Sequence, residues 1–131
     1  MTIVDSTVWI DYFRGRETAQ TDWLDAHAAT DPIGLTDLIL CEVLQGVRDE
    51  RLLPKLQKDL SAFQLFDTGG AHLALAAAAN YRALRRRGRT VRGTIDCLIA
   101  TFCLLNAHAL LHDDRDYDAF EQELGLAVVH P

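Results

Sequence analysis

Short apolar runs alternate with longer amphipathic ones along this chain, and the alternation predicts its elements. The runs TIVD (2–5), PIGLT (32–36), FQLFD (63–67), HALLH (108–112) and LAVVH (126–130) are brief and rich in apolar, partly β-branched residues, which predicts strands. Between them, apolar positions recur at helical spacing in 17–29, 38–47, 51–63, 70–88, 93–107 and 117–125. Another amphipathic run, Val8 to Phe13, follows the first strand, with Ser6 and Thr7 placed to cap it. In the 70–88 helix Leu73, Ala77, Asn80, Tyr81 and Leu84 share one side, and Gly88 is the stop.

Strands that alternate with helices imply an α/β fold. Right-handed crossovers place helices on both faces of a parallel sheet, and the working cleft lies beyond the carboxyl ends of its strands. Asp5 stands at such an end, directly after Ile3 and Val4. A carboxylate there needs water, a partner or a metal. No repeat, low-complexity tract or linker interrupts the chain, so residues 1–131 read as one domain.

Composition narrows the class. No apolar stretch approaches the roughly 20 residues of a membrane helix, and the N-terminus has no signal-peptide pattern, so a cytoplasmic protein without a membrane partner is expected. Cys41, Cys97 and Cys103 lie in apolar runs at spacings unlike zinc motifs and read as reduced core residues. The formal net charge is -6, yet Arg82, Arg85, Arg86, Arg87, Arg89 and Arg92 cluster. They form either a local basic rim for phosphates, with Arg82, Arg86, Arg87 and Arg89 as RNA contacts, or a solvated helix end.

The acids carry the chemistry. Glu42 falls on a largely apolar helix, on the face of Leu38, Ile39 and Gly46, unless it reaches solvent at the helix edge. Asp96 lies two residues after Thr94, a candidate N-cap; the helix dipole alone would also account for it. In LLHDDRDYDAF, Asp114 and Asp116 can point the same way from a loop at another strand tip. Two gathered carboxylates about 5 Å apart repel by on the order of 3 kcal/mol at an effective dielectric of 20. A cluster of this kind calls for a cation. Oxygen-only ligands select Mg²⁺ or Mn²⁺, whose chemistry is metal-assisted phosphodiester hydrolysis.

With IVDSTVWIDYF at the start, Glu42 after the second strand, TIDCLIA around Asp96 and LLHDDRDYDAF near the end, the chain resembles the PIN-domain ribonucleases of the VapC toxin type, from bacterial toxin–antitoxin pairs. The resemblance covers essentially the whole chain. It implies a three-layer α/β/α fold with a parallel central sheet, Mg²⁺ or Mn²⁺ dependence, and endonucleolytic RNA cleavage leaving 5′-phosphate and 3′-hydroxyl ends. By position, Asp5, Glu42, Asp96 and Asp114 match the family's acidic quartet and Asp116 an additional acid. Asp5 and Asp96 are then the direct ligands of a first metal, Glu42 binds it directly or through a water, Asp114 and Asp116 complete a second metal site, and Thr7 resembles the hydroxyl residue that orients the first acid. The resemblance also implies a homodimer, a VapB-like antitoxin that sends an arginine into the acids, and a tRNA or rRNA substrate in preference to mRNA. Trp9, Tyr12, Phe13 and Trp23 are candidates for the antitoxin contact, the dimer seam or the core.

Rival readings fare less well. A phosphatase of the haloacid dehalogenase type needs an Asp where Thr7 stands, and a receiver domain needs a lysine after a late strand, whereas the only lysines are Lys55 and Lys58. The remaining alternative is a catalytically silent PIN-like module that binds RNA or an antitoxin. The histidines are scattered, and His112 reads as strand-end packing.

Overall fold

β1 (Thr2–Val4) pairs in parallel with β2 (Ile33–Thr36) on one side and β4 (Ala109–Leu111) on the other, and β3 (Gln64–Phe66) extends the sheet beyond β2. The computed structural model describes all residues, Met1–Pro131. The strand order is β3-β2-β1-β4, with Ile3 opposite both Gly34 and Leu110. Ile3, Val4, Leu35, Leu110 and Leu111 are fully buried or nearly so, because helices cover both faces of the sheet. Those helices are α1 (Ser6–Phe13), α2 (Ala19–His27), α3 (Asp37–Gln45), α4 (Leu53–Leu60), α5 (Gly70–Arg86), α6 (Thr94–Leu105) and α7 (Asp118–Leu124). The three-layer α/β/α arrangement with a parallel sheet is the one the sequence predicts.

Gly34 lets β2 and β3 approach. A Cβ at that position would lie 2.9 Å from both the Gln64 carbonyl oxygen and the Phe66 ring. Trp9 is fully buried in the layer of α1, packing on Phe63 at 4.9 Å and stacking on Phe13 at 5.9 Å between ring centroids. Tyr12, Phe13 and Trp23 are half-buried against the same core. α5 buries Leu73, Ala77 and Leu84 as the spacing predicts, and Gly88 follows its end at φ +75°; Tyr81 lies further round and is exposed.

Several local expectations are corrected. The segment 126–130 does not form a strand. It meets β4 only through the bridge between Leu110 and Val128, because it turns back from Gly125, at φ +77°, alongside a single residue of the edge. Asp5, not Ser6 or Thr7, caps α1: its side chain accepts the Thr7 backbone N–H. Gly93, not Thr94, precedes the first turn of α6, with no side-chain cap. The 51–63 segment divides into a 3-10 turn at Glu50–Leu52 and α4. Cys97 and Cys103 are buried, whereas Cys41 lies on the outer side of α3 and is exposed.

Candidate active site

The carboxyl ends of β1 and β4, the second turn of α3 and the first turn of α6 bring the predicted acids to one end of the sheet. Asp5 is set by main chain and side chain together. Its N–H donates to the Leu111 carbonyl at 2.9 Å, at the β1–β4 seam. Its Oδ2 accepts the Thr7 hydroxyl at 2.7 Å and the Thr7 N–H at 3.2 Å, and the residue is 1% exposed. The Thr7 hydroxyl in turn accepts the Asp113 N–H at 3.2 Å, which ties the loop after β4 to α1.

Asp96 projects from the first turn of α6 and is half-buried. Its carboxyl is pushed up to about 7, first by desolvation and then by the charges of Asp5 and Asp114, against a lowering hydrogen bond from Tyr117. Asp114 precedes the 3-10 turn Arg115–Tyr117 and accepts the Asp116 N–H at 2.9 Å. Asp96, Asp114 and Asp116 each offer a carboxylate oxygen, and these lie within 4.8 Å of one another. Glu42, half-buried on α3, accepts the Ser6 hydroxyl at 3.1 Å. Desolvation, followed by the charge of Asp5, raises its carboxyl above the ordinary range.

Two supporting residues escaped the sequence reading. Ser6, read as a cap, holds Glu42. Tyr117, a residue of the LLHDDRDYDAF segment with no role assigned from sequence, is fully buried and donates its hydroxyl toward Asp5 Oδ1 at 2.7 Å and Asp96 Oδ1 at 3.2 Å. Asp5 and Asp96 therefore face each other across one phenol oxygen. Burial and those two carboxylates raise the phenol well above its usual range, so it stays a proton donor. His112 packs its ring on Tyr117 at 4.8 Å and accepts the Asp114 N–H at Nδ1, as strand-end packing requires.

The donor set fits a hard divalent cation. Its members are carboxylate oxygens, two of the groups are raised by burial and by mutual repulsion, and no Lys, Arg or His side chain forms an ion pair with any of the five acids. An open groove of about 1000 Å³ runs past the cluster, lined by Asp114, Asp116, His112, Arg92, Arg115 and His130 among others. Of the arginines singled out in the sequence, Arg87 donates to the Glu123 carbonyl at 2.6 Å and Arg89 to Gln122 Oε1 at 2.8 Å, joining the end of α5 to α7. Arg82 and Arg86 are exposed.

The family model described as PIN domain matches residues 2–122. The chain belongs to the PIN-domain family. Among curated members, this PIN domain is 31% identical over 122 residues to the VapC ribonuclease Mb1587 of Mycobacterium bovis, covering 90% of each chain. The same figures relate it to Ribonuclease VapC11 of Mycobacterium tuberculosis, so it is a PIN domain of the VapC type. The solved structure of VapBC2 from Rickettsia felis, bound to a DNA fragment from their promoter, shares the fold. Its TM-score is 0.75 at 17% identity, over 98% of this chain and 96% of that one.

Proposed function

We propose that this PIN domain is the toxin of a VapBC-type pair, an endoribonuclease that requires Mg²⁺ or Mn²⁺. The observation that carries the reading is the convergence of Asp96, Asp114 and Asp116 within 4.8 Å, with Asp5 joined to Asp96 through one hydroxyl and no protein cation among them. The curated relatives named as ribonucleases add to it.

Asp5, Asp96, Asp114 and Asp116 hold the ion in this reading, and Glu42 stands beside them. The bound ion supplies charge neutralisation at the phosphodiester and acidifies water. The protein's own groups do the rest. Thr7 fixes Asp5 through two donors, and Ser6 fixes Glu42 through Oε1, leaving Oε2 to accept a proton. A carboxylate of raised basicity suits that role. Hydrolysis forms a bond from the water oxygen to phosphorus and breaks the bond to the 3′ oxygen, which departs with a proton. The groove beside Asp114 and Asp116 has room for the strand, with Arg92 and Arg115 on its walls for the flanking phosphates; Arg82 and Arg86 extend the basic surface.

The partner in this reading is a VapB-like antitoxin. A second groove, about 480 Å³, lies between α1, α3 and α4, with Phe13, Val43 and Leu56 inside and Arg14, Arg48 and Lys55 at its rim. It suits an amphipathic segment with acidic flanks. The structural neighbour from Rickettsia felis is itself a VapBC complex. A homodimer joined through the outer face of α5, where Leu75 is 74% exposed among alanines, completes the assembly. No helix is long and apolar enough to cross a membrane.

The test is cleavage of structured tRNA and rRNA with added Mg²⁺. Intact protein is expected to cut; EDTA, Asp5→Asn and Asp96→Asn each abolish cutting, and Glu42→Gln slows it by about a hundredfold. Undiminished cleavage by the Asn variants contradicts the assignment of the cluster. RNA binding without cleavage by intact protein favours the silent module.

A further inference from the structure

We propose that the Tyr117 hydroxyl stands in for the cation between Asp5 and Asp96 in the metal-free protein and thereby weakens the ion's hold on them. The inference rests on the metal-binding reading above. The ring is fully buried, tilted against His112, so the hydroxyl has no route to solvent and must find its acceptor inside the site. Two acceptors are within reach, at 2.7 Å and 3.2 Å, and the phenol has one proton to share between them. A phenylalanine would fill the same space without introducing a polar group that needs a partner. The hydroxyl therefore acts on the carboxylates, beyond its contribution to packing.

Its effect is competition more than alignment. Asp5 is already oriented by the two Thr7 donors on Oδ2 and by its main-chain bond to Leu111, so its direction does not depend on the phenol. Asp96 has no other side-chain hydrogen bond, and the phenol engages its Oδ1. Donation to a carboxylate oxygen withdraws charge from it, and the same oxygen then attracts a cation less strongly. A hydrogen bond to a charged group is large enough to change affinity on the order of tenfold.

The experiment titrates Mn²⁺ calorimetrically into metal-free wild type and Tyr117→Phe and follows thermal unfolding of both with and without the ion. The Phe variant is expected to bind Mn²⁺ on the order of tenfold more tightly. Its metal-free form melts below wild type, the gap narrows when Mn²⁺ saturates, and the tyrosine near-ultraviolet difference produced by Mn²⁺ in wild type disappears. A residue that only packs would leave affinity and the gap unchanged, and equal or weaker binding overturns the inference. Should the Phe variant not fold, 3-fluorotyrosine at position 117 keeps the shape and strengthens the donor. Weaker Mn²⁺ binding is then expected, and unchanged binding overturns the proposal. Wild type that takes up no divalent ion removes the functional reading as well, whereas normal uptake with an indifferent variant removes this inference alone.

Discussion

Burial and like charge meet most clearly at Asp96. Its folded pKa of about 7 lies above that of an unfolded aspartate, about 3.9. Below about pH 4 the group is protonated in both states. From there to about 7 the folded state keeps a proton that the unfolded chain has released, so rising pH favours unfolding until both are ionised. Glu42, also raised, acts in the same direction. Metal-free protein in EDTA is expected to lose melting temperature between pH 5 and pH 8, and Mg²⁺ to restore most of it at the upper end. Scanning calorimetry across that range checks this, and a flat or rising profile contradicts it. Asp5 was legible in the sequence because a charge after a buried β-branched pair is costly without a purpose. Tyr117 was not, because an aromatic beside a loop looks like any core residue until the fold aims its hydroxyl.

At the scale of elements, periodicity identified every helix and the four paired strands, and it erred where tertiary geometry decides. Apolar, branched residues made 126–130 look like a strand, yet the turn at Gly125 brings it opposite only one residue of β4. The cap of α1 was misassigned because Ser6 and Thr7 are good capping residues in isolation, whereas the chain leaves β1 one residue earlier. The close approach of β2 and β3 depends on Gly34, and Gly34→Ala is expected to destabilise the fold by about 1–3 kcal/mol, read from urea unfolding. Wild-type stability in that variant would contradict the close packing. The arginine cluster separates by element too. Arg82→Ala with Arg86→Ala should weaken RNA binding and flatten its salt dependence, by about 0.7 in slope for each phosphate left without its arginine. Arg89→Ala should instead lower the melting temperature slightly, because its bonds to Gln122 and Glu123 no longer tie α5 to α7. Equal effects of both changes on RNA affinity would contradict that division.

For the whole molecule, a chain of net charge -6 gathers its site acids at one end of a parallel sheet and sets basic residues along the groove beside them. The topology explains much of why acids so far apart in sequence meet: parallel strands deliver their carboxyl ends, with Asp5 and the loop of Asp114 and Asp116, to the same side, α3 with Glu42 follows β2 there, and α6, which follows α5, adds Asp96 from its first turn. That much follows from the order of elements, and the resemblance in sequence located the acids within it. The grooves and the α5–α7 ion pairs depend on side-chain packing that only the folded chain displays. The central claim is that these carboxylates form one divalent-metal centre. Anomalous scattering from crystals grown with Mn²⁺ tests it most directly: the prediction is a peak about 2.1–2.3 Å from oxygens of Asp96 and of at least one of Asp5, Asp114 and Asp116, and a saturated crystal with no peak at this end of the sheet would contradict it.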